Sequence, residues 1–174
     1  MDGLQPGSHE EADTRILLHV KDALNSGFKD VMIRTVDTDV VVLAVAHFQN
    51  LENLEKLWIA FGTGKEFRYI PVHEIATTIG PEMAKGLPFF HAFSGCDTTS
   101  SFANNGKKSA WNTWRAWPEI TECFAFLSSP VSPILPENIM EKLERFVVLL
   151  YCRTSDDVNV NTARMTLFQN VKDP

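Results

Sequence analysis

Hydrophobic residues recur at helical spacing near the start of the chain. The apolar positions that follow one another at intervals of three and four residues are Ile16, Leu17, Val20, Ala23 and Leu24, and this period is typical of an amphipathic helix. Ser8, with Glu11 three positions later, has the pattern of a capping box at a helix N-terminus. We therefore predict a first helix that opens near Ser8 and stops at 25–27.

The next apolar segment changes from helical to strand character. Residues 30–36 contain Val31, Ile33, Thr35 and Val36, and this β-branched run predicts a strand that crossover helices bury. The strand is expected to end at Asp37. Residues 40–48 are apolar throughout, and their place directly after the acidic end of a strand favours a buried helix.

Two further strands are predicted over 56–61 and 66–70. The turn between them, Gly62-Thr-Gly-Lys65, has glycines where a hairpin needs positive φ. A phosphate-binding loop is excluded here because the G-x-x-x-x-G-K-[ST] spacing is absent.

The sequence pattern predicts helices for the second half of the chain. Predicted helices cover 73–79, 81–93 and 109–117. A linker with three prolines and three serines follows at 128–136. Beyond it, a long helix carries the apolar stripe Leu143, Phe146, Val147, Leu150 and Tyr151, and a shorter helix covers 161–170. The pattern as a whole predicts an α/β fold with additional C-terminal helices.

Composition narrows the functional classes. The 174 residues carry a net charge of −6 and only three cysteines, without a C-x-x-C pair. A strongly basic nucleic-acid binder, a disulfide framework and a zinc knuckle are therefore not indicated. The longest apolar runs, 40–46 and 146–152, are too short to cross a bilayer. We expect an intracellular protein without a signal peptide or a membrane anchor.

Acidic residues in three short motifs form the strongest chemical signal. The motifs H-E-E-A-D, T-V-D-T-D and F-S-G-C-D contain the acids Glu11, Asp13, Asp37, Asp39 and Asp97. Asp37 and Asp39 lie where a strand ends, which is the ligand-binding rim of a parallel sheet, and residues two apart on an extended chain share a face. Asp13 lies in line with the buried stripe of the first helix. Carboxylates that converge repel one another unless cations neutralise them, so the set predicts a metal site.

These motifs, in this order, resemble the PIN-like 5′-nuclease family, which includes flap endonucleases and the nuclease domains of bacterial DNA polymerases. The resemblance rests on E-A-D ending at Asp13, on D-x-D at Asp37 and Asp39, and on G-C-D at Asp97 followed by G-K-K-S-A from Gly106. It covers roughly residues 8–117. It implies a PIN-like core over 8–95, a helix-hairpin-like segment over 96–127, the linker over 128–136 and a helical extension over 137–174.

The resemblance also implies a chemistry. The family's acids bind two Mg²⁺ or Mn²⁺ ions that hydrolyse phosphodiester bonds of DNA or RNA, with the carboxylates as ligands and no other catalytic residue. Oxygen-only ligation agrees with such hard cations. By the same resemblance, Gly106, Lys107 and Lys108 would hold a phosphate strand. The family's sheet begins with an acid-bearing strand before the E-A-D helix, where this sequence has only Met1–Gly7. We therefore expect a truncated core.

Other interpretations remain for each of these features. Glu11 can simply be part of the capping box, and Asp37 and Asp39 can simply form a turn after the strand. Asp97 can cap a helix, and Lys107 and Lys108 can be a solvated surface pair.

The spaced tryptophans and Cys96 have structural explanations as well. The tryptophans at 111, 114 and 117 are spaced as core residues rather than as a base-stacking platform. Cys96 is interpreted as a buried structural thiol. The alternative function is a catalytically inactive PIN-like module that binds a protein partner through its C-terminal helices.

Overall fold

A computed structural model describes residues 12–129 and 138–172, without the side chains of 12–14 and 170–172. The chain divides into two units, Met1–Ala84 and Lys85–Pro174. The mixed α/β class expected from the sequence is confirmed. The predicted capping box at Ser8 and Glu11 lies outside the described residues.

A three-stranded sheet organises the first unit. The strands β1 (Asp30–Thr35), β2 (Lys56–Phe61) and β3 (Arg68–Pro71) lie in the order β1-β2-β3. β1 is parallel to β2, and β2 is antiparallel to β3. The sequence predicted a parallel sheet, but the observed sheet is mixed. β2 and β3 pair antiparallel because the turn at 62–65 is far too short for the crossover that parallel pairing needs. Gly62 and Gly64 have φ values of +83° and +52°, as the hairpin prediction required.

Helices cover one face of this sheet. α2 (Thr38–His47) contacts both α1 (Ala12–Asn25) and α3 (Val72–Ile79), and α3 also contacts β2. α1 ends as predicted, before Gly27 at φ +89°. The side chains that these helices bury against the sheet are Val20, Ile33, Val40, Ala44, Val45, Leu57, Ile59, Val72 and Ala76. Burial alternates along β1, so its even-numbered side chains point away from this core.

The second unit is helical. Its helices are α4 (Pro81–Phe93), α5 (Lys107–Ala116), α6 (Thr121–Leu127), α7 (Asn138–Tyr151) and α8 (Val160–Lys172). α4 begins and ends where the sequence predicted. α5 begins two residues earlier than predicted, and α6 was not predicted at all. Most of the predicted linker, residues 130–136, lies outside the described part of the chain.

Aromatic side chains form the centre of the second unit. Trp114 is fully buried, and its ring centroid lies 4.9 Å from that of Phe90 and 5.0 Å from that of Phe124. Gly86 in α4 faces this cluster, and a Cβ there would lie 3.0 Å from Cβ of Phe124. The prediction that the tryptophan stripe packs in the core is thus confirmed for Trp114. Tyr151 was expected on the buried stripe of α7 but is 48% exposed, because its hydroxyl reaches a backbone carbonyl.

Candidate metal centre

Asp37 and Asp39 lie at the corner between β1 and α2. Asp37 is the N-cap residue of α2, and its Oδ1 accepts a hydrogen bond from the backbone N–H of Asp39 at 2.8 Å. The N–H of Asp37 donates to Oγ1 of Thr35 at 3.0 Å. These two bonds fix the path of the chain from the strand into the helix. The structure therefore places the two acids at one corner of the chain.

The geometry of this pair differs from the expected one. The sequence predicted an extended exit on which Asp37 and Asp39 share a face, but α2 already begins at Thr38. The capping bond of Asp37 ends the extended backbone, because an N-cap side chain satisfies one of the unpaired N–H groups of the first turn. Asp39 accordingly lies in the first turn of the helix.

The corner favours negative charge and stays accessible. The N-terminus of a helix carries a partial positive charge that stabilises nearby carboxylates. Asp37 is exposed and Asp39 is half-buried, while Val40 beneath them is 3% exposed. Because the corner lies at the carboxyl end of the parallel pair β1-β2, it occupies the edge where α/β sheets bind ligands.

Of the predicted metal ligands, the structure describes the side chains of Asp37, Asp39 and Asp97. Glu11 lies outside the described residues, and Asp13 is placed in α1 without a described side chain. Asp97 belongs to the second unit. Among the side chains that the structure describes, no three His, Cys, Asp or Glu residues form a group that could hold a metal ion. The five-acid set thus stays a prediction.

Asp97 lies in a tight turn between α4 and α5. The N–H of Thr99 donates to the carbonyl oxygen of Cys96 at 3.2 Å, and Asp97 is exposed within this turn. The helix-cap interpretation of Asp97 is wrong, because α5 begins only at Lys107. Gly95 makes the turn sterically feasible: its φ is +103°, and a Cβ there would lie 2.7 Å from Cα of Ser101.

The predicted phosphate-binding residues lie at the start of α5. Gly106 is the N-cap residue and makes no side-chain cap, and Lys107 and Lys108 open the helix. Nζ of Lys107 donates to the carbonyl oxygen of His91 at 2.8 Å and lies 3.4 Å from Oγ of Ser94. Lys107 therefore stabilises the C-terminal end of α4, where a cation complements the helix dipole. Lys108 is exposed. A second turn precedes them, in which Asn104 adopts φ +60°.

Cys96 has a chemical character that the sequence interpretation missed. It was expected to be buried, but it is partly exposed, and its Sγ lies 3.4 Å from Oγ1 of Thr98 and 3.3 Å from Oγ1 of Thr99. Hydrogen-bonding contacts with Thr98 and then with Thr99 lower the pKa of the thiol to about 7. The two threonines that follow the motif G-C-D were the available signal. By contrast, burial raises the pKa of Cys123 to about 11.

Comparison of the chain with family models, with curated proteins and with solved structures found no match. Among the described helices, none combines the length and the apolar character needed to span a membrane.

Proposed function

We propose that this chain is a metal-dependent phosphodiesterase domain of the 5′-nuclease type, acting on DNA or RNA. The observation that carries the proposal is the Asp37–Asp39 pair at the helix corner that follows β1. Two carboxylates at the carboxyl edge of a parallel strand pair, beside a helix N-terminus, are a starting point for binding a hard cation. The order of the acidic motifs along the chain supports the same family.

The donor set fits Mg²⁺ or Mn²⁺. Mg²⁺ is usually held by one or two carboxylates and keeps several of its waters. Oδ1 of Asp37 accepts the capping bond, and a carboxylate oxygen that accepts one hydrogen bond keeps a further lone pair. A bound ion would lower the pKa of a water and neutralise charge on the phosphate. Completion of a second metal position would need further acids of the first unit, for which the family resemblance implies Glu11 and Asp13.

Contact with the nucleic-acid backbone is assigned to the start of α5. Gly106 leaves open space above its Cα, and the first N–H groups of α5 have no side-chain cap from this residue. Such N–H groups, together with the exposed ammonium of Lys108, are suitable donors to phosphate. Lys107 contributes mainly by joining α5 to the end of α4.

Calorimetric titration with Mn²⁺ and cleavage of single-stranded and flap substrates test the proposal. We expect Mn²⁺ binding and Mn²⁺-dependent cleavage that both disappear in the double variant Asp37→Asn, Asp39→Asn. The matched control is Asp156→Asn, which neutralises an exposed acid of the second unit. Absence of both ion binding and cleavage in the unmodified chain would contradict the proposal.

The lysines give an independent test of backbone contact. Lys108→Ala should weaken nucleic-acid binding without a change in thermal stability, whereas Lys107→Ala should lower the stability as well, since it loses its bond to His91. The salt dependence of binding should also decrease in Lys108→Ala, because fewer counterions are released. Equal affinity of Lys108→Ala and the unmodified chain would remove α5 from the proposed interface.

A second candidate function is an inactive PIN-like module that binds a protein partner. The observation that favours it is the exposed apolar surface of α8, where Met165, Leu167 and Phe168 are 64%, 45% and 65% exposed. Such side chains often mark protein contacts. If the calorimetry detects no ion, and the substitution Phe168→Glu abolishes self-association or partner binding, this function is favoured.

A further inference from the structure

The outer edge of β1 is open to pairing within the described part of the chain, where β1 pairs only with β2. The carbonyl oxygens of Lys29 and Thr35 accept hydrogen bonds from the N–H groups of Lys56 and Gly62, each at 3.2 Å. Because backbone groups alternate sides along a strand, those of the even-numbered residues 30, 32 and 34 point away from β2. They form a row of donors and acceptors for another strand.

The two edges of the sheet differ in protection. β3 is only four residues long, begins with Arg68 and ends with Pro71, and short length, charge and proline all discourage edge pairing. β1 has six residues and no proline. The edge of β1 is thus longer than that of β3, and the side chains along it decide what can pair with it.

The side chains along this edge have a self-complementary order. Within β1, Met32 is 58% exposed, and Asp30 and Arg34 on either side of it are exposed as well. At alternating positions the strand therefore presents an acidic, an apolar and a basic group. The charges change sign across Met32.

This order identifies the occupant. We propose that a second copy of this chain pairs antiparallel along β1, with Met32 opposite Met32 of the other copy. Asp30 then lies opposite Arg34 of the second copy on both sides of the twofold axis. The outward backbone groups of 30, 32 and 34 fall into hydrogen-bonded pairs in the same register. The result is a continuous six-stranded sheet built from two copies of the order β1-β2-β3.

Other registers of the same pairing are disfavoured by charge. Centring the antiparallel pair on Asp30 would oppose two acids, and centring it on Arg34 would oppose two guanidinium groups. Centring the pair on Val31 or Ile33 keeps the outward backbone groups paired but places Asp30 and Arg34 opposite apolar side chains. Only the register centred on Met32 joins Asp30 to Arg34. The charge pairs thus set the register, while the backbone bonds supply attraction.

Arg34 is held in its own copy by contacts on the side of β2. Its Nη1 donates to the carbonyl oxygens of Thr35 at 3.1 Å and Ala60 at 2.9 Å, and its guanidinium carbon lies 5.2 Å from the ring centroid of Phe67. Pairing with Asp30 of the second copy therefore turns the side chain from these contacts towards the outer edge, which adds to the cost of association.

Such an interface is small, and we expect a dimer with a dissociation constant on the order of micromolar. It does not rest on the proposed nuclease function, since the acids of the α2 corner take no part in it. The two proposals can therefore fail separately: ion binding tests one, and molecular mass tests the other.

Light scattering and sedimentation over a range of concentrations test the dimer. The unmodified chain should change from 19.6 kDa to twice that mass as its concentration rises. Asp30→Arg opposes like charges at both symmetric contacts, and we expect dimerisation roughly 10-fold weaker. Met32→Glu places two acids on the twofold axis and should weaken it at least as much.

Charge exchange makes the test specific. Arg34→Asp alone should be monomeric, but a mixture of Asp30→Arg chains with Arg34→Asp chains should form heterodimers, because both contacts then join opposite charges. The double variant Asp30→Arg, Arg34→Asp should regain the homodimer. Glu52→Arg, at an exposed acid of the same unit outside β1, is the matched control and should dimerise normally.

Two results would overturn the inference. The first is a monomeric mass for the unmodified chain at every concentration. The second is dimerisation that Asp30→Arg and Met32→Glu both leave unchanged. Circular dichroism follows the fold of each variant. Asp30→Arg and Met32→Glu alter only outward-facing side chains, so the test does not depend on Arg34→Asp, which also loses the bond to Ala60.

Discussion

Oδ1 of Asp37 accepts a hydrogen bond from the backbone N–H of Asp39 at 2.8 Å. The same carboxylate thus ends the extended path of β1, starts α2, and stands beside the second acid of the motif. A structural role and a proposed ligand role coincide in one side chain, and substitutions that separate them are informative.

Asp37→Ala should lower the free energy of unfolding by about 1 kcal/mol, because the N-cap acceptor is lost. Asp37→Asn should retain most of the stability, since asparagine caps helices about as well as aspartate, while it removes the charge that a metal ion needs. Urea unfolding measures both variants. Asp22→Ala, at an exposed position in α1, is the control and should change stability by less than about 0.5 kcal/mol. Equal destabilisation by Asn and Ala would contradict the capping role.

Trp114 should be the most sensitive position of the second unit. The ring is fully buried, and its Nε1 donates to Oγ1 of Thr121 at 2.9 Å. Trp114→Ala should cost about 3–5 kcal/mol through lost burial and a cavity. Thr121→Val should cost about 1–3 kcal/mol, because it leaves a buried N–H without its acceptor. Arg115→Ala, at the exposed neighbouring position, should be nearly neutral in the same denaturant titration; a loss comparable to that of Thr121→Val would argue against this account.

Cys96 should react with iodoacetamide near neutral pH, because the thiolate is the nucleophile and its pKa is lowered to about 7. The lowered pKa means that the rate rises as pH increases through about 7 and levels off above it. Cys123, with a pKa raised to about 11, should stay unmodified over this range. Mass spectrometry of peptides assigns each site.

Thr98→Val removes the hydroxyl 3.4 Å from Sγ of Cys96 and should move the pH profile of alkylation upwards, towards the ordinary thiol pKa of 9.0. Thr166→Val, in α8, is the control and should leave the profile in place. An unchanged profile in Thr98→Val would show that the threonine hydroxyl does not stabilise the thiolate.

Gly95→Ala should destabilise the second unit by about 3 kcal/mol, because positive φ and a close contact act together. The φ of Gly95 is +103°, and a Cβ would lie 2.7 Å from Cα of Ser101. Gly64 also has positive φ, +52°, but nothing lies within 4 Å of the Cβ position. Gly64→Ala should therefore cost only about 1 kcal/mol, and thermal unfolding of the two variants compares the effects. If the two variants lose similar stability, Ser101 moves away from the added Cβ at little cost.

The regular elements were largely predictable from local patterns. The β-branched run of β1, the glycine turn between β2 and β3, and the bounds of α4 follow from alternation, positive φ and helical period, all of which act over a few neighbouring residues. α6 was missed because its seven residues, Thr121–Leu127, are too short and too uniformly apolar to show a period. The start of α5 was placed too late because Lys107 and Lys108 resemble turn residues until the contact of Lys107 with His91 is known.

The candidate site was predictable only in part. That Asp37 and Asp39 lie together follows from their separation by one residue at the end of a strand. The capping bond and the early start of α2 do not follow from it, because a D-x-D pair fits an extended exit equally well. The pKa of Cys96 was also beyond sequence reasoning, since it depends on which hydroxyls the turn brings to Sγ.

The sequence by itself determined where most strands and helices form, which residues carry acids, and the self-complementary order of Asp30, Met32 and Arg34. Only the tertiary structure decided that these three residues lie along an edge that no other described strand covers, that Trp114 is central while Tyr151 is exposed, and that Lys107 stabilises α4. The reason is physical: local backbone preference depends on neighbours in the chain, whereas burial, edge exposure and thiol ionisation depend on atoms that folding brings from distant positions.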